Sequence, residues 1–358
     1  MSTVSYTGLI PENVAPENAT GIAVYKGGKE ICKISDMGVL ARPPLGAKLY
    51  TFGALSDVHI SYDTAKDDFQ TALTFLRQTA GAAFTCICGD LTVKNEDTEW
   101  EDYASYVSQY AGSMPVYPVS GNHDCYGSGL TDARMKQYTG HGTFYTFTQG
   151  DDVFIMLSQI AWPSVSNNIQ PFATTGLQQL YNALETNRNK RCFVFQHNFP
   201  WGHSGDPFKL YSSNALYGTQ GEVIYSVMRH YKNAIWFHGH SHQKFEVQEQ
   251  SKKATYDFDF GVHSVHIPSI AVPVDVIGGT RVVQYAGSQG YVVDVYNSYI
   301  ELKGRDFVTG EYLPIADYCL DTTLHNVEAG TYTDSTGTVT TETSTPSGYS
   351  RMVRHISV

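Results

Sequence analysis

With 358 residues, 42% of them hydrophobic and 16% charged, the chain is long enough for one large domain with additions or for two. This composition belongs to a folded globular protein and excludes an intrinsically disordered one. The formal net charge of −11 excludes a general nucleic-acid binder, since affinity for a phosphate backbone comes mainly from Lys and Arg. If such a chain handles phosphate, positive potential has to come from elsewhere, and bound metal ions supply it.

Residues 1–48 stand apart. "GIAVYKGGKEICKISD" predicts two short strands about a Gly27-Gly28 turn, and "ARPPLG" at 41–46 a stiff linker, so this stretch reads as a small N-terminal β-module or arm. From residue 49 to 321 the rhythm is that of one α/β domain. "LYTFGALSD" is a buried strand. "TAKDDFQTALTFLRQTAG" is a helix with Phe69, Leu73, Leu76 and Ala80 on one face, a capping box from Thr64 and Asp67, and a stop at Gly81. "AFTCICGD" is a second buried strand, a polar helix follows around 96–111, and "PVYPVSGNHD" is a third strand, giving β-α-β-α-β. "TFYTFTQGDDVFIMLSQI" is a hairpin, "TTGLQQLYNALETN" a helix, "RCFVFQHNFP" a strand, "GEVIYSVMRHY" a helix and "NAIWFHGHSH" a strand. Beyond 254 strands dominate: "TYDFDFG", "HSVHIPS", "RVVQYAG", "GYVVDVYN" and "YIELKGRDF". Residues 322–358 form a Thr/Ser-rich extension that suits an exposed hairpin, a flexible tail or an attachment segment.

The six cysteines, Cys32, Cys86, Cys88, Cys125, Cys192 and Cys319, include no CxxC pair and read as reduced, mostly buried thiols. No cationic start runs into an apolar stretch, so no signal peptide is expected, and no 18-residue apolar run suggests a membrane span. The chain is expected to be cytoplasmic or virion-associated.

The chemistry collects at strand ends. They carry Asp57 and His59, then Asp90, then Asn122-His123-Asp124, then His197, then His240 and His242. In open α/β sheets, sites form beyond the carboxyl ends of the strands. Strand alternation would point Asp57 and His59 to one side, and His240 and His242 likewise. Four imidazoles, two carboxylates and an amide exceed the needs of one four-coordinate ion and suit two ions sharing a carboxylate, with Asp90 the natural bridge.

The ordered series "DVH", "GDL", "GNHD", a histidine after a strand, and "GHSH", over roughly residues 50–250, resembles the calcineurin-like metallophosphoesterases. The resemblance implies a four-layer α/β/β/α sandwich with a dinuclear site at one end. It implies that one ion takes Asp57, His59, Asp90 and His242, and a second takes Asp90, Asn122, His197 and His240. A metal-bridging hydroxide would then be the nucleophile and His123 the general acid. The identity of the ions stays open among Mn, Fe, Zn, Co and Ni, since a mixed N/O site accepts any of them. Protein Ser/Thr phosphatases of this superfamily extend the second block to GDxVDRG; "GDLTVKN" here has no Arg at that place, which favours phosphodiester over phosphoprotein substrates.

Several neighbouring residues carry two readings each. Asp124 either orients His123 or its loop, or is a surface carboxylate. Cys125 is read as a partly buried thiol, although a ligand role is open to it. His203 lines the substrate mouth or is an ordinary loop histidine. Trp162, Trp201 and Tyr126 are candidate pocket walls. Arg134 and Lys136 suit a solvated helix face better than a phosphate contact, and His263 and His266 are read as structural. His238, the first histidine of "HGHSH", is read as the last residue of its strand, packed or hydrogen-bonded in the core, with contact to a ligand or substrate as the alternative.

The flanks "GAKLYTFGALSDVHI" and "HIPSIAVP…GYVVDVYNSYIELKGRDFVTGEYLPIADYCLD" look similar to metallophosphoesterase proteins encoded near phage or prophage tail genes in Gram-positive bacteria. This resemblance rests on phrasing and not on chemistry. It implies virion or homo-oligomer partners for the N-terminal module and the tail, and a cell-surface phosphodiester such as teichoic acid as substrate. A cytoplasmic phosphoesterase for nucleotides or other small phosphate esters is the alternative setting. A phage-tail or surface-binding structural protein that keeps the fold is the alternative function.

Overall fold

The computed structural model describes residues 47–162, 172–200, 202–210, 224–225, 227–231, 233–251, 253–259, 262–284 and 287–322, together with short strands within 4–35 and 325–354. The "ARPPLG" linker, Trp201, and residues 221–223 and 226 of the helix expected at 221–231 lie outside the described residues.

Strands β1 (Val4–Tyr6), β2 (Gly21–Lys26) and β3 (Lys29–Ser35) form a separate three-stranded sheet, with β2 and β3 antiparallel; the expected Gly27-Gly28 turn lies outside the described residues. The α/β body then follows in chain order as β4 (Lys48–Leu55), α1 (Ala65–Gln78), β5 (Phe84–Cys88), α2 (Asp97–Tyr106), β6 (Val116–Val119) and α3 (Asp132–Thr139). It continues with the hairpin β7 (Phe144–Gln149) and β8 (Asp152–Leu157), α4 (Thr174–Thr186), β9 (Cys192–Phe195) and β10 (Ala234–His238). The strand-rich remainder comprises β11 (Tyr256–Asp259), β12 (Val262–His266), β13 (Val274–Ile277), β14 (Thr280–Val283), β15 (Gln289–Tyr296), β16 (Tyr299–Asp306) and β17 (Tyr318–Asp321). Short strands β18 (His325–Asn326), β19 (Thr331–Thr333), β20 (Val339–Thr341), β21 (Pro346–Gly348) and β22 (Arg351–Arg354) complete the chain. Of these, β1, β13, β17 and the short strands β18–β22 are not individually apparent in the sequence pattern.

Two sheets make the body. One runs β22-β17-β16-β15-β4-β5-β6 and the other β11-β12-β10-β9-β8-β7. Within the first, β4, β5 and β6 are parallel, and within the second β8, β9, β10 and β12 are parallel, so the site-bearing strand ends of each sheet share one edge. The C-terminal extension returns to the first sheet, where β22 pairs antiparallel with β17.

The side-chain period of two sorts the core into tiers. Phe52, Cys86, Phe154, Phe193, Phe195, Phe237 and Val293 meet between the sheets, with Phe195 and Phe237 stacked at 4.9 Å. Their neighbours Leu55, Ile87 and Val292 face outward onto Phe69, Leu73 and Leu76 of α1 and Trp100 and Tyr103 of α2. On the other sheet Val153, Ile155, Val194 and Trp236 face Leu180 and Leu184 of α4 and Met228 and Tyr231. Each fully buried large apolar side chain contributes about 1.5–3 kcal/mol, so this sorting is the main stabilisation of the fold. At the strand starts, Arg191 makes a bidentate pair with Asp152 at 2.9 and 2.6 Å and also donates to the Tyr296 carbonyl and Thr322 Oγ1.

The expected capping box at Thr64 does not form, because Thr64 has helical backbone angles and its side chain makes no cap bond. The box sits on α2 instead, where the Glu96 N–H donates to Glu99 at 3.2 Å. Gly81 ends α1 as expected, at φ +64°. Cys86, Cys88, Cys125 and Cys192 are buried free thiols. Among the described residues no helix is long and apolar enough to cross a membrane.

Candidate metal centre

Backbone strain marks the site. Asp57 (φ 54°), His59 (42°), Asp90 (52°), His240 (71°) and His242 (61°) all occupy the left-handed region, and Asn95 and Lys209 complete that set among the described non-glycine residues. Such positions are uncommon outside glycine, though Asp and His tolerate them better than most, and they concentrate where function holds them. This corrects the expectation from strand alternation. Strand β4 ends at Leu55 and β10 at His238, so Asp57, His59, His240 and His242 all lie beyond regular strand. They converge through left-handed turns, not through pleating. The turn after β4 is clamped to the turn after β5 by Asp57 N–H to Gly89 O (3.0 Å) and His59 N–H to Asp90 O (2.8 Å).

Close approach explains the glycine of "HGHSH". A Cβ on Gly239 would stand 1.8 Å from Ser56 Oγ and 2.5 Å from Asp57 Oδ2. Gly239→Ala is expected to cost about 1–3 kcal/mol by overpacking and to weaken metal retention together with stability. Thermal denaturation and metal analysis of the same preparation check both; an alanine variant with unchanged melting temperature would contradict the close approach.

Two groups of donor atoms gather here, each with its atoms within 4.8 Å of one another: Asp57, His59, Asp90 and His242, and then Asp90, His197 and His240. Asn122 joins the second group, with Oδ1 3.1 Å from His197 Nε2. The spacings are 3.1 Å for His59 Nε2 to His242 Nε2, 3.1 Å for His242 Nε2 to Asp57 Oδ1, 3.1 Å for His197 Nε2 to His240 Nδ1, and 3.2 Å for His197 Nε2 to Asp90 Oδ2. Two donors about 2.1 Å from one ion stand roughly 3.0 Å apart at a right angle and about 3.4 Å apart in a tetrahedron, so these spacings fit shared cations. Asp57 Oδ1 and Asp90 Oδ2 are buried, and the imidazole nitrogens of His242 and His197 face them. Buried oxygens left in that state are costly unless a cation takes them up. The residues present therefore fit metal ions.

The outer partners set which ring nitrogens face inward. His197 Nδ1 lies 2.6 Å from the Cys88 carbonyl and His242 Nδ1 2.9 Å from that of Val272, which leaves Nε2 of each for a metal. The other carboxylate oxygens are held by backbone: Asp57 Oδ2 accepts from His240 N–H (3.0 Å) and Asp90 Oδ1 from His123 N–H (2.8 Å). Asp124 is fully buried, which overturns its reading as a surface carboxylate. It accepts from the backbone of Gly121, Leu91 and Thr92 and from Thr92 Oγ1, tying the GNHD turn to the turn that carries Asp90. Burial and the nearby Asp90 charge push its carboxyl up to about 6, against the pull of those donors.

Charge within the cluster is strongly redistributed. Burial alone would raise both ligand carboxyls, but His242 holds Asp57, and His197 holds Asp90, well below the usual range. Burial drops His59 and His240 to about 3, so both are neutral imidazoles able to donate to a cation. Burial would lower His197 too, yet Asp90 raises it to about 9, and Asp57 raises His242. The metal-free site thus stores protons that metal must displace. Metal uptake is expected to strengthen as pH rises towards about 9 and to release protons. The sign for stability is opposite in the metal-free form. His197 keeps its proton up to about 9 when folded but loses it near the ordinary histidine value of 6.5 when unfolded. Its stabilisation is complete below 6.5 and fades by about 9. Chelator-treated protein should therefore lose several degrees of Tm between these two pH values, while the metal-loaded protein should not; equal slopes for the two forms would contradict the stored proton.

The match to known families is made by the same residues. The family model for calcineurin-like phosphoesterases covers residues 50–244, more than half of the chain and every donor named above. The chain belongs to the calcineurin-like phosphoesterase family. It is a metallophosphoesterase of mixed α/β fold. No functionally curated protein matches it in sequence. Among solved structures it is similar in fold to PhoD (12% identity, TM-score 0.51, covering 86% of this chain and 74% of that one). It is similar also to GAP50 of Plasmodium, described as the anchor in the inner membrane complex (13% identity, TM-score 0.50, covering 75% and 87%).

Around this metallophosphoesterase centre the other candidates fall into place. His123 is half-buried, its Nδ1 2.7 Å from the Val93 carbonyl and its ring 4.8 Å from that of His59. Trp162 meets His123 at 5.2 Å and Tyr126 meets Trp162 at 5.6 Å, so both border the site. Cys125 is buried, donates to the Gly121 and Gln159 carbonyls, and belongs to neither donor group. Arg134 pairs with Asp97 and Asn95, and Lys136 with Asp132, so neither faces a phosphate. His203 pairs with Asp257 and His263 with Tyr256.

His238 turns away from the donors. Its Nε2 lies 2.9 Å from both Ser204 Oγ and Ser264 Oγ, and burial keeps its pKa well below the usual histidine range. His238→Asn is expected to keep wild-type metal content while lowering stability; loss of one ion would make His238 a ligand after all.

The motif pattern misses the end of β12 and the segment after it. His266 Nε2 holds the Gln243 carbonyl (3.0 Å), Ser269 Oγ donates to the Asp57 carbonyl (3.0 Å), and the Val272 carbonyl orients His242. Only the "HIPS" wording hinted at it, and wording carries no geometry.

Proposed function

We propose that this metallophosphoesterase hydrolyses phosphoesters at a dinuclear centre, with Asp57, His59, Asp90 and His242 holding one ion and Asp90, Asn122, His197 and His240 the second. The observation that carries this reading is that the two donor groups share Asp90. Bound there, two cations supply Lewis acidity, lowering the pKa of water and neutralising phosphate oxygens, which a chain of net charge −11 does not otherwise offer.

The chain's own residues do the rest. Asp90, through the His123 N–H, couples the bridging position to the loop that carries the acid. With Nδ1 engaged by the Val93 carbonyl, Nε2 is the ring atom left to protonate the leaving oxygen as its bond to phosphorus breaks. The Asp124 tie between the two turns keeps that distance fixed. Phosphodiesters are favoured over phosphoproteins because "GDLTVKN" lacks the arginine of the protein-phosphatase block.

Metal content by mass spectrometry, combined with hydrolysis of a monoester and diester panel after Mn, Fe or Zn loading, tests this, with Asn122→Ala and His123→Ala as controls. Two ions per chain and diester turnover are expected. Absence of both metal and turnover would leave the alternative, a surface-binding or virion protein that keeps the fold. The separate β1–β3 sheet and the C-terminal extension are the features that would serve such binding; the comparisons give no support to the likeness of the flanks to phage-tail proteins.

A further inference from the structure

A groove of about 660 Å³ adjoins the metal centre on the His123 side. Two of its walls continue the ligand turns: Ile60 to Asp63 follow His59, and Val93, whose carbonyl takes His123 Nδ1, follows Asp90. The third wall is the start of α2, with Glu96, Thr98 and Glu99. Glu99, only 6% exposed, ties all three together, accepting from Ser61 Oγ and from the backbone of Lys94 (2.8 Å) and Glu96 (3.2 Å). The Tyr62 ring, 39% exposed, stands 5.2 Å from that of His59 at the junction of groove and metal centre.

The lining selects its occupant. Lys66 is neutralised by Asp102 at 2.7 Å and the Glu99 oxygens are taken up by the walls, leaving Lys94 against the carboxylates of Asp63 and Glu96, with the Ser61 and Thr98 hydroxyls in the same lining. A second phosphate would face an excess of carboxylates. An ammonium group only donates, and would meet Lys94. A neutral polyol both donates to carboxylates and accepts from the ammonium and hydroxyls, and the volume suits a group of sugar size. We propose that this groove holds the leaving alcohol of the substrate and that this alcohol is a sugar or sugar alcohol. The proposal rests on the hydrolase reading above.

The test uses the metal-loaded full chain and methyl phosphodiesters of glucose, glycerol, choline and glycerol phosphate, with release of each alcohol followed by NMR. Calorimetry of glucose 6-phosphate, ethyl phosphate and phosphocholine gives a binding readout that needs no turnover. Glucose and glycerol esters should exceed the choline and glycerol phosphate esters by about tenfold in kcat/KM, and glucose 6-phosphate should bind about tenfold tighter than the other two; one or two charge-assisted hydrogen bonds are worth that much. Asp63→Asn, Glu96→Gln and Tyr62→Ala should each shrink the preference about fivefold. Equal rates across the panel, a choline or anionic preference, or variants that leave the ratio unchanged would overturn the groove. Binding preference without turnover would overturn the hydrolase reading and keep the groove; turnover without preference would do the reverse.

Discussion

Asp90→Asn is expected to reduce bound metal from two ions per chain to one or none and to lower kcat/KM on a model diester by at least about 10³, the loss of several kcal/mol of transition-state charge stabilisation. The substitution is chosen to isolate charge. Asparagine keeps an oxygen that accepts the His123 N–H as Asp90 Oδ1 does, so the turn keeps its anchor. The carboxylate charge alone is removed. A second consequence follows inside the metal-free protein. Asp90 is what raises His197 to about 9, so in the variant that histidine falls back and the loss of stability between pH 6.5 and about 9 shrinks. Metal analysis, kinetics and thermal denaturation of one preparation read all three effects. An Asp90→Asn protein that holds two ions with wild-type affinity would place the bridge elsewhere.

His123→Asn is expected to leave both ions bound and to lower kcat by about 10² to 10⁴ on esters of alkyl alcohols. The loss should be far smaller on a p-nitrophenyl ester, whose leaving group needs no proton. The ring touches His59 at 4.8 Å but belongs to neither donor group, which is why metal content and rate should separate. Equal losses on both kinds of ester would assign His123 to binding the phosphate instead of protonating the leaving oxygen.

The candidate donors are legible in the chain itself. Each short motif, from Asp57-Val58-His59 to Gly239-His240-Ser241-His242, sits directly after an apolar strand, and a strand end is a local property that a run of Val, Ile, Phe and Leu encodes within ten residues. The parallel strand order that brings those ends to one edge also follows from alternating strands and helices. Strand alternation does not place these donors, since they lie in left-handed turns past the strands.

Contacts between segments far apart in the chain emerge only once the sheets have closed. The Ser269 hydroxyl on the Asp57 carbonyl spans 212 positions, and the His240 N–H on Asp57 spans 183. His238 repeats the spacing of His240 and His242, yet it is the last residue of regular β10, and serines from two other segments claim its ring. Asp124 looked like any polar residue beside a histidine until four donors from two turns closed around it. No periodicity records such pairings. A side chain's partners are set by which backbone passes within 3 Å of it once the sheets have closed, and that is a property of the packed chain as a whole.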